Sequence, residues 1–471
     1  MSDMIMTSEQ LRQGFDAQQQ AFDHNRYPEY AQRLADLQSL KRILVDNQEA
    51  LLASLSKDFG HRSCDDSIIG DILSTLSGIK YHIKNLKAWM KPRRKHVGLL
   101  LQPASARVMY QPLGVIGIIV PWNYPVFLSI GPLATALAAG NRAMLKMSEY
   151  TPHTNALLAQ YLSANFAAEK VCVVGGEADM AVAFSQLPFD HLFFTGSTAV
   201  GKHVLKAAAE NMVPVTLELG GKSPGIIAHD MPIETAVQRF LFGKTLNAGQ
   251  TCVAPDYLFC PSDKLESLIQ HTKQLFTQMF PSVDGNQDYT CVINQSHYER
   301  LQSLLNDAEE KGAKLFAMGE KTSDDNRRMP LTIVTGVTDD MRLAHEEIFG
   351  PILIVYTYEQ LQEPISYINQ RPRPLSLYVY SFDKAIQNKV LKNTIAGGVC
   401  VNDASFHVAN EDLPFGGVGA SGMGNYHGEE GFIRFSHAKS ILSRGKWTLA
   451  PMLFPPYGTW IHKLAYKLFI R

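Results

Sequence analysis

Two hydrophobic rhythms alternate along the chain. Over residues 8–58 apolar positions recur at helical spacing (Leu34, Leu37, Leu40, Ile43, Leu44) with charges between them, which predicts two helices. A further helix is predicted over 66–89. It ends at Lys91, because the residue before Pro92 is pushed out of the α region. Residues 99–110 alternate loosely and read as a projecting hairpin. From Val115 the pattern changes. Short β-rich runs (115–120, 143–146, 171–174, 191–194 and 213–217) take turns with helical stretches (128–139, 153–165, 178–186 and 198–211). Strands separated in this way imply a parallel sheet covered on both faces, and right-handed crossovers make it a doubly wound, Rossmann-like domain. The rhythm returns later, with strands at 257–260, 331–334, 352–356, 377–380 and 399–401 and helices at 264–279, 295–311, 359–368 and 384–393. This is a second α/β domain. Residues 281–289 and 320–329 are polar loops, and no solenoid-type repeat occurs.

Composition narrows the function classes. A chain of 471 residues exceeds one ordinary core, and 45% hydrophobic with 19% charged residues is a folded, globular balance. A formal net charge of −1 gives no support to a nucleic-acid partner, which needs clustered Lys and Arg. The basic run from Lys91 to Lys95 is short and isolated, and reads as a solvated turn. The six cysteines (64, 172, 252, 260, 291 and 400) form no CxxC pair, so no metal site is expected. No secretory signal pattern precedes residue 25, and a reducing cytoplasm fits best. No apolar run reaches the roughly 20 residues of a transmembrane helix; the C-terminal segment 460–471 is too short and is interrupted by Lys463 and Lys467.

Five stretches carry candidate chemistry. Phe194-Thr195-Gly196-Ser197-Thr198 runs from a strand through a glycine turn into a helix, and its free N–H groups suit a pyrophosphate, although a plain βα turn has the same pattern. Lys146 and Glu149 end a strand and could bond ribose hydroxyls; alone they read as surface charges. In Pro121-Trp122-Asn123-Tyr124-Pro125 two prolines hold the Asn123 amide, as an oxyanion donor or in an Asx turn. Glu218 precedes Gly220 and Gly221 and is either a general base or a carboxylate paired with Lys222. Cys252, in Gly249-Gln250-Thr251-Cys252, lies outside any apolar run, where backbone amides could stabilise a thiolate; the other five cysteines fit inert packing. A textual GxGxxG at Gly417, Gly419 and Gly422 lacks the preceding strand and following helix, so it reads as a loop.

Taken in order, these stretches, with Glu346-Glu347-Ile348-Phe349-Gly350-Pro351, resemble the aldehyde dehydrogenase family over nearly the whole chain. Gly243-Lys244, Ala254-Pro255-Asp256-Tyr257, Gly424-Asn425-Tyr426-His427-Gly428 and Phe435-Ser436-His437 are similar to its class 3 branch. Asn402-Asp403-Ala404, His407-Val408-Ala409, Asp412 to Gly417 and Phe454 to Tyr457 look most like the bacterial coniferyl aldehyde dehydrogenases. The resemblance implies that Cys252 is the nucleophile, that Asn123 and the Cys252 N–H meet the oxyanion, and that Glu218 activates water. It places Gly196, Ser197 and Gly201 at the pyrophosphate, Lys146 and Glu149 at the adenosine ribose, Glu347 at the nicotinamide ribose and Phe349 near the ring, with Trp122 also on the cofactor side. Met147 departs from the proline common in that stretch, which leaves NAD or NADP open.

The implied activity is NAD(P)-dependent oxidation of an apolar or aromatic aldehyde to the acid, through a thiohemiacetal and a thioester. Acyl transfer to coenzyme A is a competing outcome that would not need Glu218; a catalytically silent binding protein is another. A fatty-aldehyde enzyme is a third, with Trp460, Ile461, Leu464, Leu468 and Phe469 on a membrane-touching helix and Lys463, Lys467 and Arg471 toward headgroups. The expected architecture is a cofactor domain (1–93 and 112–217), a catalytic domain (218–417) and a small β bridging element (94–111 and 418–471) that in family members pairs subunits into a homodimer.

Overall fold

A computed structural model describes residues 6–320 and 326–470; residues 321–325 of the predicted polar loop, and Arg471, lie outside the described residues. In chain order the strands are β1 (Arg93–Lys95), β2 (Ala104–Pro112), β3 (Val115–Ile119), β4 (Arg142–Lys146), β5 (Val171–Val174), β6 (His191–Gly196), β7 (Val215–Leu219) and β8 (Pro224–Ile227). There follow β9 (Tyr257–Pro261), β10 (Lys314–Ala317), β11 (Thr332–Thr335), β12 (Ile352–Tyr358), β13 (Ser376–Tyr380), β14 (Gly398–Val401), β15 (Gly422–Met423) and β16 (Ser436–Arg444).

Six strands form one sheet in the order β15-β7-β6-β3-β4-β5, parallel except for β15. The chain runs outward from β3 to β5, then returns to lay β6 and β7 on the other side of β3. The order reverses between β3 and β6, so the loops after these neighbours part and open a crevice at their carboxyl ends. Seven strands form the second sheet, β10-β11-β12-β9-β8-β13-β14, parallel except for β10. The third sheet, β1-β2-β16, is antiparallel.

Alternation within the strands explains the layers. Ile116 and Ile118 of β3 face a core shared with Leu37, Leu133 and Leu158, while Val115 and Ile119 face another shared with Phe15, Phe184 and Val204. In the second sheet Ile226, Ile354 and Val379 face one core, and Ile227, Leu353 and Tyr380 the other. Both parallel sheets are therefore buried on two faces, which is why their strands read as unbroken apolar runs.

Several expectations need correction. Residues 8–58 form three helices, Ser8–His24, Tyr30–Asp46 and Gln48–Phe59. Asn47 separates the last two, with φ −120° and ψ 19° and its amide turned back onto the Ile43 carbonyl at 2.8 Å. The helix over 66–89 contains a π-helical stretch, Ile68–Leu73. The basic run is not a solvated turn: Arg93–Lys95 is β1, paired with residues 106–108, and Arg93 bonds Glu429 and lies over the Tyr110 ring. The projecting hairpin is therefore made of β1 and β2. The strand expected at 213–217 lies two residues later, because Pro214 has no N–H for the ladder, and so it includes Glu218. Strands β8, β10, β15 and β16 had no distinct sequence signal. Cys64 is exposed rather than packed inside. Residues 417–422 form a tight loop against β7, with Gly419 at φ +69° and Leu219 N donating to Ser421 O at 3.1 Å; no helix follows. The C-terminal helix is Trp460–Phe469, and among the described residues no helix is long and apolar enough to cross a membrane.

The helix Phe127–Ala139, which carries the loop after β3, ends on a buried side chain. Arg33 donates from Nη1 to the carbonyls of Ala138 (3.2 Å) and Ala139 (2.8 Å), and Gly140 turns away at φ +90°. Burial lowers the Arg33 pKa to about 10, which leaves it cationic at neutral pH and matched to the negative end of the helix. Arg33→Leu is expected to leave both carbonyls unpaired and to cost about 3 kcal/mol, read as a lower urea midpoint with no change in the far-ultraviolet spectrum of the native protein.

Candidate active site

The nucleophile candidate sits on an unusual turn. After the helix Ile233–Thr245, Asn247 (φ 52°), Ala248 (φ 52°) and Gly249 (φ 74°) are all left-handed. Asn and Gly tolerate this; Ala248 does so at a cost of about 1–3 kcal/mol. A side chain at Gly249 would meet the Gly350 carbonyl at 2.5 Å. The turn is pinned from several sides. Asp66 accepts from Asn247 N (2.9 Å), and Gln250 donates to the carbonyls of Asn247 (2.9 Å) and Cys291 (3.0 Å) while accepting from Ile293 N (2.9 Å). Tyr378 donates to Val253 O. Cys252 projects from this turn into open space.

That space is two cavities with Cys252 in the wall of both. One, of about 640 Å³, lies in the crevice at the switch point. The loop after β3 contributes Trp122 and Asn123, the end of β6 contributes Thr195, Gly196 and Ser197, and β7 contributes Glu218; Glu347 and Phe349 close it from the second half of the chain. The other, of about 300 Å³, is walled by rings (Tyr124, Phe127, Phe242, Phe406, Phe415 and Tyr426) and has no charged residue in its lining. One chamber carries charged side chains (Glu218, Arg300, Glu346 and Glu347) and is the polar one; the other carries none.

Asn123 is buried, 3% exposed. One side-chain amide N–H reaches Gln250 O at 3.2 Å, and the backbone carbonyl of Asn123 accepts from Asn247 Nδ2 (3.1 Å) and Arg62 Nη1 (2.9 Å). The amide is therefore held, with a second N–H to spare. Glu218 is 4% exposed, pairs across the sheet with Thr195 and Gly422, and neither carboxylate oxygen has a hydrogen-bond partner. Burial raises its pKa well above the carboxylate range, only partly offset by Arg434. It is not paired with Lys222, which instead bonds Asp256 and Glu346 O. Glu347 packs over Gly220, where a side chain would strike its carboxylate. Burial and then Asp256 raise its pKa to about 7 against the pull of the Gly221 N–H, Lys222 and Arg300. Burial, followed by Glu347 and Glu218, pushes the Cys252 thiol to about 12. The N–H groups of Cys252 and Val253 do favour the thiolate, as the sequence suggested, but they are outweighed.

Among the cofactor candidates, Trp122 and Phe349 meet edge to face at 5.3 Å, and Phe349 is itself left-handed at φ 50°. Ser197 caps the helix Thr198–Glu210 by accepting from Val200 N at 3.3 Å. That helix start, the unpartnered Thr195 hydroxyl and the Glu347 carboxylate fit a dinucleotide, with N–H groups for phosphate and an acceptor for ribose. Gly201 does not line the cavity. A side chain there would meet Leu219 at 2.6 Å, so it serves helix-to-strand packing. Lys146 and Glu149 also lie outside the cavity wall, on the same sheet edge; Lys146 Nζ donates to the carbonyls of Met147 and Gly176, both at 2.7 Å, and Glu149 is exposed. Sequence reasoning missed His297 and Arg300, which line the polar chamber from the helix Gln295–Glu310. Arg300 donates to the carbonyls of Glu347 (3.2 Å) and Ile348 (2.5 Å); the ring of His297 lies 5.1 Å from that of Trp122. On an amphipathic helix these look like ordinary polar positions. Among the described residues no group of three or more His, Cys, Asp or Glu is arranged to hold a metal.

Known proteins are similar to this chain. The model of the aldehyde dehydrogenase family matches residues 4–441. A Pseudomonas aeruginosa protein named "Probable coniferyl aldehyde dehydrogenase" is 53% identical over 465 residues, 98% of this chain and 97% of the relative. The substrate-bound structure of Staphylococcus aureus AldH superposes with a TM-score of 0.93 at 37% identity, covering 98% of this chain and 99% of the other. A Mycobacterium tuberculosis aldehyde dehydrogenase complexed with NAD+ superposes with a TM-score of 0.84 at 27% identity, covering 94% and 92%.

Desolvation, and then the two carboxylates beside it, set the reactivity of the Cys252 thiol. Alkylation of Cys252 by iodoacetamide in the absence of other ligands is expected to be slow at neutral pH and to rise about tenfold per pH unit up to alkaline pH. Glu347→Gln should speed it above pH 7, where the native carboxylate is charged, and leave it unchanged well below. A rate independent of pH would show that the thiol is not held in its neutral form.

Proposed function

The chain belongs to the aldehyde dehydrogenase family, and on that premise we propose how its residues divide the work. The enzyme oxidises an aldehyde with NAD(P). We assign the apolar chamber to the aldehyde and the polar one to the cofactor; the observation that carries this is the position of Cys252 in the wall between them.

Cys252, its proton given up to solvent, adds as the thiolate to the carbonyl carbon, and the carbonyl oxygen becomes an oxyanion. The free N–H of Asn123 and the N–H of Cys252 meet that charge, a term commonly worth about 10²–10³ in turnover per donor. When bound, the cofactor supplies the acceptor for the hydride, and Cys252 is left as a thioester. Glu218, whose oxygens are unencumbered, takes a proton from water as the water attacks the thioester. The acid leaves and the thiol returns. Glu347 holds the nicotinamide ribose against Phe349 and Trp122, Gly196 and Ser197 offer the phosphate site, and Lys146 and Glu149 take the adenosine ribose. An exposed carboxylate at Glu149 favours the unphosphorylated ribose of NAD.

The substrate is an aromatic aldehyde of the coniferyl type. A chamber of about 300 Å³ walled by six aromatic rings and lacking charge suits a flat, neutral molecule. With NAD and a panel of coniferyl, benzyl and long-chain aldehydes, formation of reduced cofactor should show the highest kcat/KM for the aromatic members. A preference for long chains would favour a fatty-aldehyde role. Glu218→Gln should lower kcat about 10²–10⁴ while a first turnover of reduced cofactor persists, and native kcat should rise with pH as the elevated Glu218 carboxyl ionises. Cys252→Ser should abolish turnover, and acid formation should not require coenzyme A.

We further assign the protein to the cytoplasm as a homodimer, in which the exposed apolar tail (Trp447, Phe454, Tyr457, Trp460 and Leu468) packs on the partner subunit. Sedimentation should give a dimer, and removal of residues 447–471 should weaken it. Recovery of the full-length chain with membranes would instead assign the tail to a lipid surface.

A further inference from the structure

A buried ion pair lies directly behind the Asn123 loop. The side chains of Arg62 and Asp71 are both 0% exposed and 2.9 Å apart. Arg62 follows the helix Gln48–Phe59; Asp71 comes from the π-helical stretch Ile68–Leu73. Each partner reaches one side of the same loop. Arg62 Nη1 donates to the backbone carbonyl of Asn123 at 2.9 Å, and Asp71 Oδ1 accepts from Val126 N (3.0 Å) and Phe127 N (2.9 Å), where the next helix begins. Between them sits Tyr124, its ring 4.9 Å from the guanidinium, and its hydroxyl in a 2.7 Å hydrogen bond with Thr251, the residue before Cys252. Gly70 stands where any side chain would strike the Tyr124 ring. The wider turn of a π-helix fits Asp71 and Gly70 to this contact.

Burial of such a pair is poorly explained by stability. Desolvating two charges offsets most of their attraction, and apolar replacements of similar size are often no worse. What the pair supplies is geometry: a planar guanidinium can hold a carboxylate and a carbonyl at once, which the single nitrogen of lysine cannot do as well. We propose that Arg62 and Asp71 are positioning residues that fix the Asn123 amide in register with Cys252. The inference rests on the reading of Asn123 as oxyanion donor. Neither residue lines either chamber, so the pair acts through Asn123 and through the Tyr124–Thr251 contact rather than on the substrate itself.

A double-mutant cycle separates the two readings. Turnover is normalised to the native fraction, recovered as the monodisperse species on gel filtration with the native near-ultraviolet spectrum, so misfolded protein is not counted. Arg62→Lys should lower kcat about tenfold or more with little change in KM for NAD. In an Asn123→Ala background the same change should cost nothing further, since the group it positions is gone. If Asn123→Ala alone leaves kcat intact, the oxyanion reading fails and the positioning role falls with it. If Asn123→Ala is slow but the two losses multiply, Arg62 supports the fold and not the amide, which overturns the proposal; a folded Arg62→Lys enzyme with native kcat does so as well. Should Arg62→Lys not fold, Arg62→Met/Asp71→Asn, which removes both charges and keeps the oxygen that caps the helix, carries the same cycle with the same outcomes.

Discussion

Three left-handed residues in a row are the constraint on which the rest of the site depends. A chain leaving the helix Ile233–Thr245 would ordinarily continue outward; the turn at Asn247, Ala248 and Gly249 doubles it back so that Cys252 faces the switch-point crevice of the other sheet. Backbone strain of this kind persists only where the surroundings over-determine it. Here Asp66, Gln250, Asn123 and the Gly350 carbonyl all fit around it, and they come from both halves of the chain. The two sheets are therefore joined through the nucleophile's own loop. A small displacement of one relative to the other would move Cys252 against Asn123.

That placement decides the division of labour between the chambers. The polar one inherits the loose ends of a doubly wound sheet: a helix start, a glycine turn and a carboxylate at the end of a strand. The apolar one is walled mainly by rings and aliphatic side chains from helices and loops, and no charged residue lines it. Hydrolysis needs water at the first and none at the second. The thiol stands where the two environments touch, and the same side chain can face an apolar carbonyl compound and a charged cofactor without either crossing the other's chamber.

Much of the candidate site was legible in the sequence because its residues sit in short loops or at strand ends next to Gly and Pro. Asn123, Glu218, Cys252, Glu347, Phe349 and Trp122 line one cavity, although more than two hundred residues separate the first from the last. Strand and helix rhythms gave the two buried sheets for the same reason: parallel strands covered on both faces are apolar throughout. What stayed hidden depends on contacts between distant segments. Arg62 and Asp71 look like exposed charges around helices until both are seen to be enclosed. Arg300 and His297 occupy polar positions of an amphipathic helix and give no local sign that they face a cavity. Gly201 looked like part of a phosphate loop, but its small size serves Leu219. Lys146 reads as a free cation at a strand end, yet its ammonium is satisfied by two carbonyls. The β1 strand was misread because three basic residues carry no β signal of their own; β2 recruits them.

The electrostatics of the polar chamber also bear on the resting state of the thiol. Three acids, Cys252, Glu218 and Glu347, line one poorly solvated space; burial raises the pKa of each, and the two carboxylates raise that of the thiol further. The resting site therefore holds its thiol neutral and its base carboxyl protonated to unusually high pH. A thiol in that state is a poor nucleophile and is protected from stray oxidants and electrophiles. The N–H groups of Cys252 and Val253 pull the other way and are outweighed.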